Sequence, residues 1–222
     1  MTLVTSWHDY PAAILGRTEL ALLEWFRRNV CPGETWLDIG AHYGYTAIAL
    51  CGLVGPGGRV YAFEPLQTSA GHVNQTRRLN SLRQLSVIPM GLGSTASLEV
   101  RRLPSVRGMI DSTLPSADWE ESVVVAQFDW LWPLISGRVL TFHGIKIDVQ
   151  GMELEVLQGM RGSLRSFKPR VAVEFHRGVD RQSTLSILAE CGYGMPGTPI
   201  EPAAGETISQ YLDNRSYAFE VC

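Results

Sequence analysis

Residues 35–46, Thr-Trp-Leu-Asp-Ile-Gly-Ala-His-Tyr-Gly-Tyr-Thr, constrain the fold more than any other stretch of the chain. Trp36, Leu37 and Ile39 read as a short buried strand. Gly40, Ala41 and Gly44 read as a small-residue turn, and residues 45–50 open an apolar helix. A strand that runs through a glycine turn into a helix lets a ligand approach the backbone closely. Glu64 follows Gly44 by 20 residues and closes a second strand over residues 59–63. An acid at that place in a βαβ unit accepts both hydrogen bonds of a ribose diol. The pattern predicts a parallel α/β sheet with a nucleoside-type ligand at the carboxyl ends of its strands.

The glycine spacing bears on which nucleoside. A dinucleotide loop reads Gly-x-Gly-x-x-Gly, whereas this run is Asp38-x-Gly40-x-x-x-Gly44. A pyrophosphate favours a helix N-terminus free of nearby carboxylate. Asp38 suits a cationic or amino-acid moiety instead. The run and its downstream acid resemble the S-adenosylmethionine site of Rossmann-like methyltransferases.

A chain of 222 residues is expected to form one domain, 1–222, with an N-terminal arm and helix over 1–30. The formal net charge of −3 argues against a broad phosphate-binding surface, so no nucleic-acid partner is expected. Arg77, Arg78 and Arg83, and Arg101 with Arg102, read as solvated faces. Cys31, Cys51, Cys191 and Cys222 are scattered without a Cys-x-x-Cys pair, as in reduced, cytoplasmic proteins. Neither a leader pattern nor an apolar run of membrane-spanning length stands out, so no membrane partner is expected.

Helical spacing marks residues 18–30, with Thr18 as N-cap, and residues 68–80 as a polar surface helix. A third strand is expected over 85–90, ended by Gly91 and Gly93. Residues 94–140 read as a small β insertion with strands over 97–101 and 122–128 and a flap over 108–113. A short helix follows over 129–135. A strand over 145–149, a helix over 151–167, a strand over 170–175 and a helix over 181–191 complete the alternation. Weak strand signals remain at 210–212 and 217–221. The fold class is therefore a Rossmann-like α/β domain with a mostly parallel seven-stranded sheet and helices on both faces.

A second constellation follows. Lys146 and Asp148 share one face of a strand, since strand side chains repeat every two residues. Opposite charges on a face that is usually apolar point to a paired, partly buried site. Glu153 falls in the first turn of the next helix, its side chain directed back to the N-terminus. One strand over, Glu174 and His176 repeat the alternation. Lys146, Asp148, Glu153, Glu174 and His176 are expected to converge on one pocket.

The ordered set Asp38-Ile39-Gly40-Ala41-His42-Tyr43-Gly44, Phe63-Glu64-Pro65, Lys146-Ile147-Asp148-Val149-Gln150-Gly151-Met152-Glu153 and Val173-Glu174-Phe175-His176 resembles the FkbM family of methyltransferases. The resemblance spans about residues 34–176. It implies S-adenosylmethionine as donor and a hydroxyl of a sugar, polyketide or other secondary metabolite as acceptor. It departs from the family's frequent Asn at His42, which bears on the shape of the cofactor pocket. It departs from the frequent Glu at Gln150, which removes a carboxylate beside the active site.

On this reading Asp38, Gly40, Ala41, His42, Gly44, Tyr45 and Thr46 bind the amino-acid end of the donor. Glu64 and Pro65 hold the ribose, Gly91 and Leu92 border the adenine, and Ser112 and Thr113 cap the site. Asp148 or His176 accepts the acceptor's proton, Lys146 sets the charge of the pair, and Glu153 binds acceptor hydroxyls. Asp148, Glu153, Glu174 and His176 also offer oxygen-rich ligands for a divalent metal, a reading not favoured because their spacing matches no metal motif. His8 and Tyr10 are assigned to the arm, His72 to a solvated helix face and His143 to a loop. Trp119, Trp130 and Trp132 are candidates for packing the insertion or lining an acceptor pocket. Other readings stay open: an N-methyltransferase acting on an amine or peptide, an NAD-dependent oxidoreductase, and a binding module without catalysis. Asp38 and the missing third glycine of a dinucleotide loop argue against the oxidoreductase, and the charged Lys146, Asp148 and Glu174 argue against a module that keeps only the nucleoside pocket.

Overall fold

The computed structural model of the protein describes residues 1–5, 15–16, 18–106, 109–111, 120–137 and 140–222. The expectations for His8, Tyr10, Ser112, Thr113 and Trp119 lie outside these described residues.

β1 (Thr35–Ile39) is buried along its whole length, as an apolar run covered on both faces must be. It pairs in parallel with β2 (Arg59–Phe63) on one side and β8 (Gly144–Ile147) on the other. β3 (Leu85–Ile88) extends the sheet beyond β2, and β9 (Arg170–Phe175) beyond β8. Two antiparallel strands, β11 (Arg215–Phe219) and β10 (Thr198–Pro199), finish it. The order β10-β11-β9-β8-β1-β2-β3 is the expected mostly parallel seven-stranded sheet.

Period-two alternation in these strands feeds two cores. Leu37, Ile39 and Phe63 face one, with Leu131, Val156, Leu157, Leu164 and Leu188 from α4 (Phe128–Ser136), α5 (Glu153–Gly159), α6 (Arg161–Phe167) and α7 (Arg181–Glu190). Trp36, Val60 and Ala62 face the other, with Leu22, Phe26, Leu50 and Val73 from α1 (Leu20–Asn29), α2 (Tyr45–Val54) and α3 (Gln67–Leu79). The result is helices on both faces of one sheet.

The insertion is a second sheet, in the order β4-β7-β5-β6. β5 (Leu98–Val106) and β7 (Glu120–Gln127) form a long antiparallel hairpin, longer than the sequence pattern indicates. β4 (Gly91–Gly93) pairs with β7, and β6 (Met109–Ile110) pairs with β5 inside the expected flap. Leu66, Ile110, Val123 and Val125 bury one another and dock this sheet beside the end of β2.

Several boundaries differ, each for a local reason. Thr18 does not cap α1: Glu19 is the capping residue, in a left-handed conformation and without a side-chain cap. The third strand stops at Ile88, and Gly91 and Gly93 belong to the insertion sheet rather than ending it. The helix expected over 151–167 breaks at Met160, whose φ of −111° and ψ of 3° are not helical. Residues 210–212 form no strand, because Tyr211 has a φ of 53°. The last strand is displaced to Arg215–Phe219. Trp132 is a packing residue, fully buried, stacked on Phe128 and edge-on to Tyr61. His72 is not solvated but half-buried, its ring 5.2 Å from that of Tyr43. His143 is a loop residue before β8, as expected, and its Nδ1 accepts from the Thr35 backbone N–H at 3.1 Å, joining the amino ends of β8 and β1.

Candidate active site

The turn after β1 is built by close backbone approach. Gly40 has a φ of 80°, and a Cβ there would lie 1.7 Å from the Asp148 carbonyl oxygen. No side chain fits, so β1 and β8 can end side by side only with glycine at this place. Gly44 has a φ of 83° and starts α2, with Val73 packed against it. The Gly40 and Ala41 N–H groups both donate to the Phe63 carbonyl at 3.0 Å, tying the turn to the tip of β2.

Glu64 sits at that tip, nearly buried. It accepts from the His42 N–H at 2.7 Å and the Leu66 N–H at 2.9 Å, one bond on each oxygen. Burial pushes its carboxyl up to about 7, with those two bonds pulling the other way. Each oxygen keeps a lone pair for a ribose diol. His42, in a left-handed conformation at φ 49°, thus serves the site through its backbone.

Asp38 departs from the sequence reading. It is fully buried and does not line the cavity. Its Oδ2 accepts from the Thr46 hydroxyl at 2.6 Å, and its Oδ1 lies 3.3 Å from Lys146 Nζ. Register places Asp38 directly beside Lys146 in the sheet. Lys146 Nζ also donates to the Gly40 carbonyl at 2.8 Å and faces Asp148 Oδ2 at 3.3 Å. Burial opposes the charge of Lys146, but Asp148 and Asp38 outweigh it and hold its pKa above the usual range. Lys146 therefore ties the glycine turn to both carboxylates, and Asp38 already has its cation.

β8 ends one residue before Asp148, although the Asp148 N–H still donates to the Ile39 carbonyl at 3.0 Å. Gln150 and Gly151, with φ of 50° and 103°, then swing the chain into α5. The five expected catalytic residues do converge. His176 is almost buried, its Nδ1 2.7 Å from Glu153 Oε1. Its Nε2 faces Asp148 Oδ1 at 3.6 Å and Glu174 Oε1 at 3.5 Å. Glu153 is fully buried beneath His176, away from the cavity wall, so it cannot bind acceptor hydroxyls as the sequence reading expects. Its carboxylate orients the imidazole instead.

Burial opposes the charge on His176, yet the Glu153 hydrogen bond and the Asp148 charge push its pKa up to about 9. Burial, and then Asp148, push Glu174 up to about 8. Burial also opposes the charge of Asp148, but Lys146 and His176 hold its pKa below the usual carboxylate range. Asp148, Glu174 and His176 bring one potential metal ligand each within 4.8 Å of one another. The Lys146 ammonium beside Asp148 repels a cation at that point.

One cavity, about 1110 Å³ with its open mouth included, joins these groups. Gly40, Ala41, His42, Tyr45, Thr46, Glu64, Pro65, Gly91, Leu92, Lys146, Asp148 and Glu174 line it; Gly44, Glu153 and His176 lie behind its wall. The sequence reading misses Thr18 and Glu19 on one rim and an apolar wall of Leu103, Met109, Ile110, Val123 and Val125 from the insertion. Alternation in the insertion strands signals an apolar face but not what it covers. Phe63, Met90, Leu92 and the insertion wall supply the apolar part of the cavity lining that Glu64 shares.

A glycine turn, an acid on the second strand and a cavity at the carboxyl ends of a seven-stranded sheet define a Rossmann-like class I methyltransferase fold. Residues 38–195 match the methyltransferase FkbM domain, and the chain belongs to that family. It is 32% identical over 155 residues to the hexuronic acid methyltransferase AglP of Haloferax volcanii, covering 69% of this chain and 60% of that protein. The structure of an FkbM methyltransferase from Methylobacillus flagellatus superimposes with a TM-score of 0.58 at 17% identity, covering 97% of this chain and 56% of that one. Aeropyrum pernix fibrillarin, solved with natively bound S-adenosyl-L-methionine, gives a TM-score of 0.54 at 16% identity, over 97% of this chain and 76% of that one. The chain thus spans less than two thirds of the length of its FkbM and AglP relatives. Among the described residues, no helix is long and apolar enough to cross a membrane.

Proposed function

We propose that the protein is an S-adenosylmethionine-dependent methyltransferase, working as one catalytic unit, whose acceptor is a hydroxyl of a sugar or another small molecule. The observation that carries this reading is one continuous cavity lined by Glu64 at the tip of β2, Asp148 just beyond β8 and Glu174 on β9. It offers a ribose ligand at one end and a proton acceptor at the other. When bound, S-adenosylmethionine supplies a methyl group already activated on a sulfonium, so no covalent enzyme intermediate is needed.

The chain's own residues then have two tasks, alignment and proton removal. Asp148 is the acceptor of the hydroxyl proton, at Oδ1. It lines the cavity, and Lys146 and His176 keep it ionised. A carboxylate with a low pKa suffices, because an alcohol oxygen becomes strongly acidic as it gains the methyl group. His176 stays behind the wall, protonated below about pH 9, with Glu153 fixing its ring. Glu174, protonated near neutral pH, is placed to hydrogen-bond a second acceptor oxygen.

A glycosyl acceptor is favoured by the likeness to a hexuronic acid methyltransferase. A nucleic acid is disfavoured by the net charge of −3 and by basic side chains already paired, Arg101 with Glu99 and Glu155 and Arg102 with Glu120. The test is transfer of labelled methyl from S-adenosylmethionine to a panel of sugars, uronic acids and RNA. Label should appear in a carbohydrate, and Asp148→Asn should lower the rate roughly a hundredfold to ten-thousandfold with donor affinity kept. Label in RNA, or an Asp148→Asn rate close to that of the parent, would overturn the assignment.

A further inference from the structure

Glu19 is at odds with its place in the chain. It is the residue that precedes the first turn of α1, and its carbonyl accepts from the Leu23 N–H at 2.8 Å. A residue there ordinarily takes an extended backbone, and a short polar side chain such as Asp or Ser caps the free N–H groups of the helix. Glu19 does neither. Its φ of 56° and ψ of 20° are left-handed, a conformation that strains any residue with a Cβ, and its side chain makes no capping bond. The backbone is strained at this residue, and its side chain lines the cavity. Among the described residues no hydrogen bond or ion pair engages it. Burial raises its pKa, and Lys146, Asp148 and Asp38 are the main charges it senses. Glu19 thus shares the cavity with Lys146 and Asp148 at the tips of β1 and β8.

We propose that Glu19 binds the α-ammonium group of the donor's amino-acid tail. This rests on the S-adenosylmethionine reading given above. With the ribose on Glu64, the tail of the donor falls at the β1 and β8 tips. Lys146 is engaged there with Asp38, Asp148 and the Gly40 carbonyl. Asp38, the acid that the sequence offers for a cationic group, is occupied by Lys146 and Thr46 behind the wall. Among the described residues Glu19 is a cavity-lining carboxylate without a partner, and an ammonium group with three donors is its complement. The backbone strain is then what keeps the carboxylate off the helix end and available to the ligand.

Calorimetry on the full chain tests this with two probes. S-adenosylhomocysteine carries the tail, and 5′-methylthioadenosine has the adenine, ribose and sulfur without it. Glu19→Gln should weaken S-adenosylhomocysteine about tenfold or more and leave methylthioadenosine within about twofold. Glu19→Gly removes the strain as well as the carboxylate, so it should raise the melting temperature while losing the same affinity. The inference falls if the parent binds S-adenosylhomocysteine and either variant binds it equally well, or if both probes weaken alike. If the parent binds neither probe, the donor reading falls and takes the inference with it.

Discussion

Gly40 holds the site together by what it lacks. A methyl group there would meet the Asp148 carbonyl at 1.7 Å in a backbone conformation that disfavours any side chain. Gly40→Ala should therefore cost about 3 kcal/mol or more and separate the tips of β1 and β8. A urea titration reads this as a lower midpoint, and an unchanged midpoint would refute the packing account. At this scale the sequence is informative where chemistry and period agree. Lys146, Asp148, Glu174 and His176 are legible because charges at alternate positions of core strands require partners. Asp38 is misjudged for a reason of the same kind. Its cation sits on β8, 108 residues along, and only the β1–β8 register brings it near. Glu153 is legible as a member of the cluster but not as the buried support of His176. Glu19 is illegible, since nothing in its neighbours announces a left-handed glutamate.

At the scale of elements, the parallel strands are legible to within a few residues because fully buried strands are continuous apolar runs. The insertion is not. Along β5 the alternation is inverted, with Leu98 and Val100 exposed while Glu99 and Arg101 are half-buried, and residues 107–108 and 112–119 within the insertion lie outside the described part. Its contribution to the site is an apolar wall, anchored where Val125 packs against Gly91. Val125 is almost fully buried, so Val125→Ser should cost about 2 kcal/mol and weaken donor binding together with stability. Paired thermal melts and donor titrations check this; a stability loss with unchanged donor affinity would mean that the wall serves packing alone. The break at Met160 is likewise invisible in sequence, because residues 151–167 keep helical periodicity on both sides of it.

At the scale of the whole molecule, the protein concentrates buried ionisable groups at one end of its sheet, and this sets how stability depends on pH. Glu64 and Glu174 have folded pKa values of about 7 and 8, raised from 4.5, and His176 about 9, raised from 6.5. Between about pH 5 and 9 the folded state therefore holds more protons than the unfolded chain. Stability should fall as pH rises through that window. The two carboxyl groups contribute the loss from about pH 4.5 to 8 and His176 the loss from about 6.5 to 9. Thermal melts of the ligand-free protein across this range should decline, and Glu64→Gln with Glu174→Gln should flatten the curve; a melting temperature that climbs from pH 5 to 9 would contradict the burial of these groups. The central claim remains that this crevice accepts a sulfonium nucleoside and refuses a dinucleotide. Calorimetry with S-adenosylmethionine and with NAD tests it most directly. Saturable one-to-one binding of S-adenosylmethionine with no heat of binding for NAD is expected, and tight NAD binding without a response to S-adenosylmethionine would overturn the assignment.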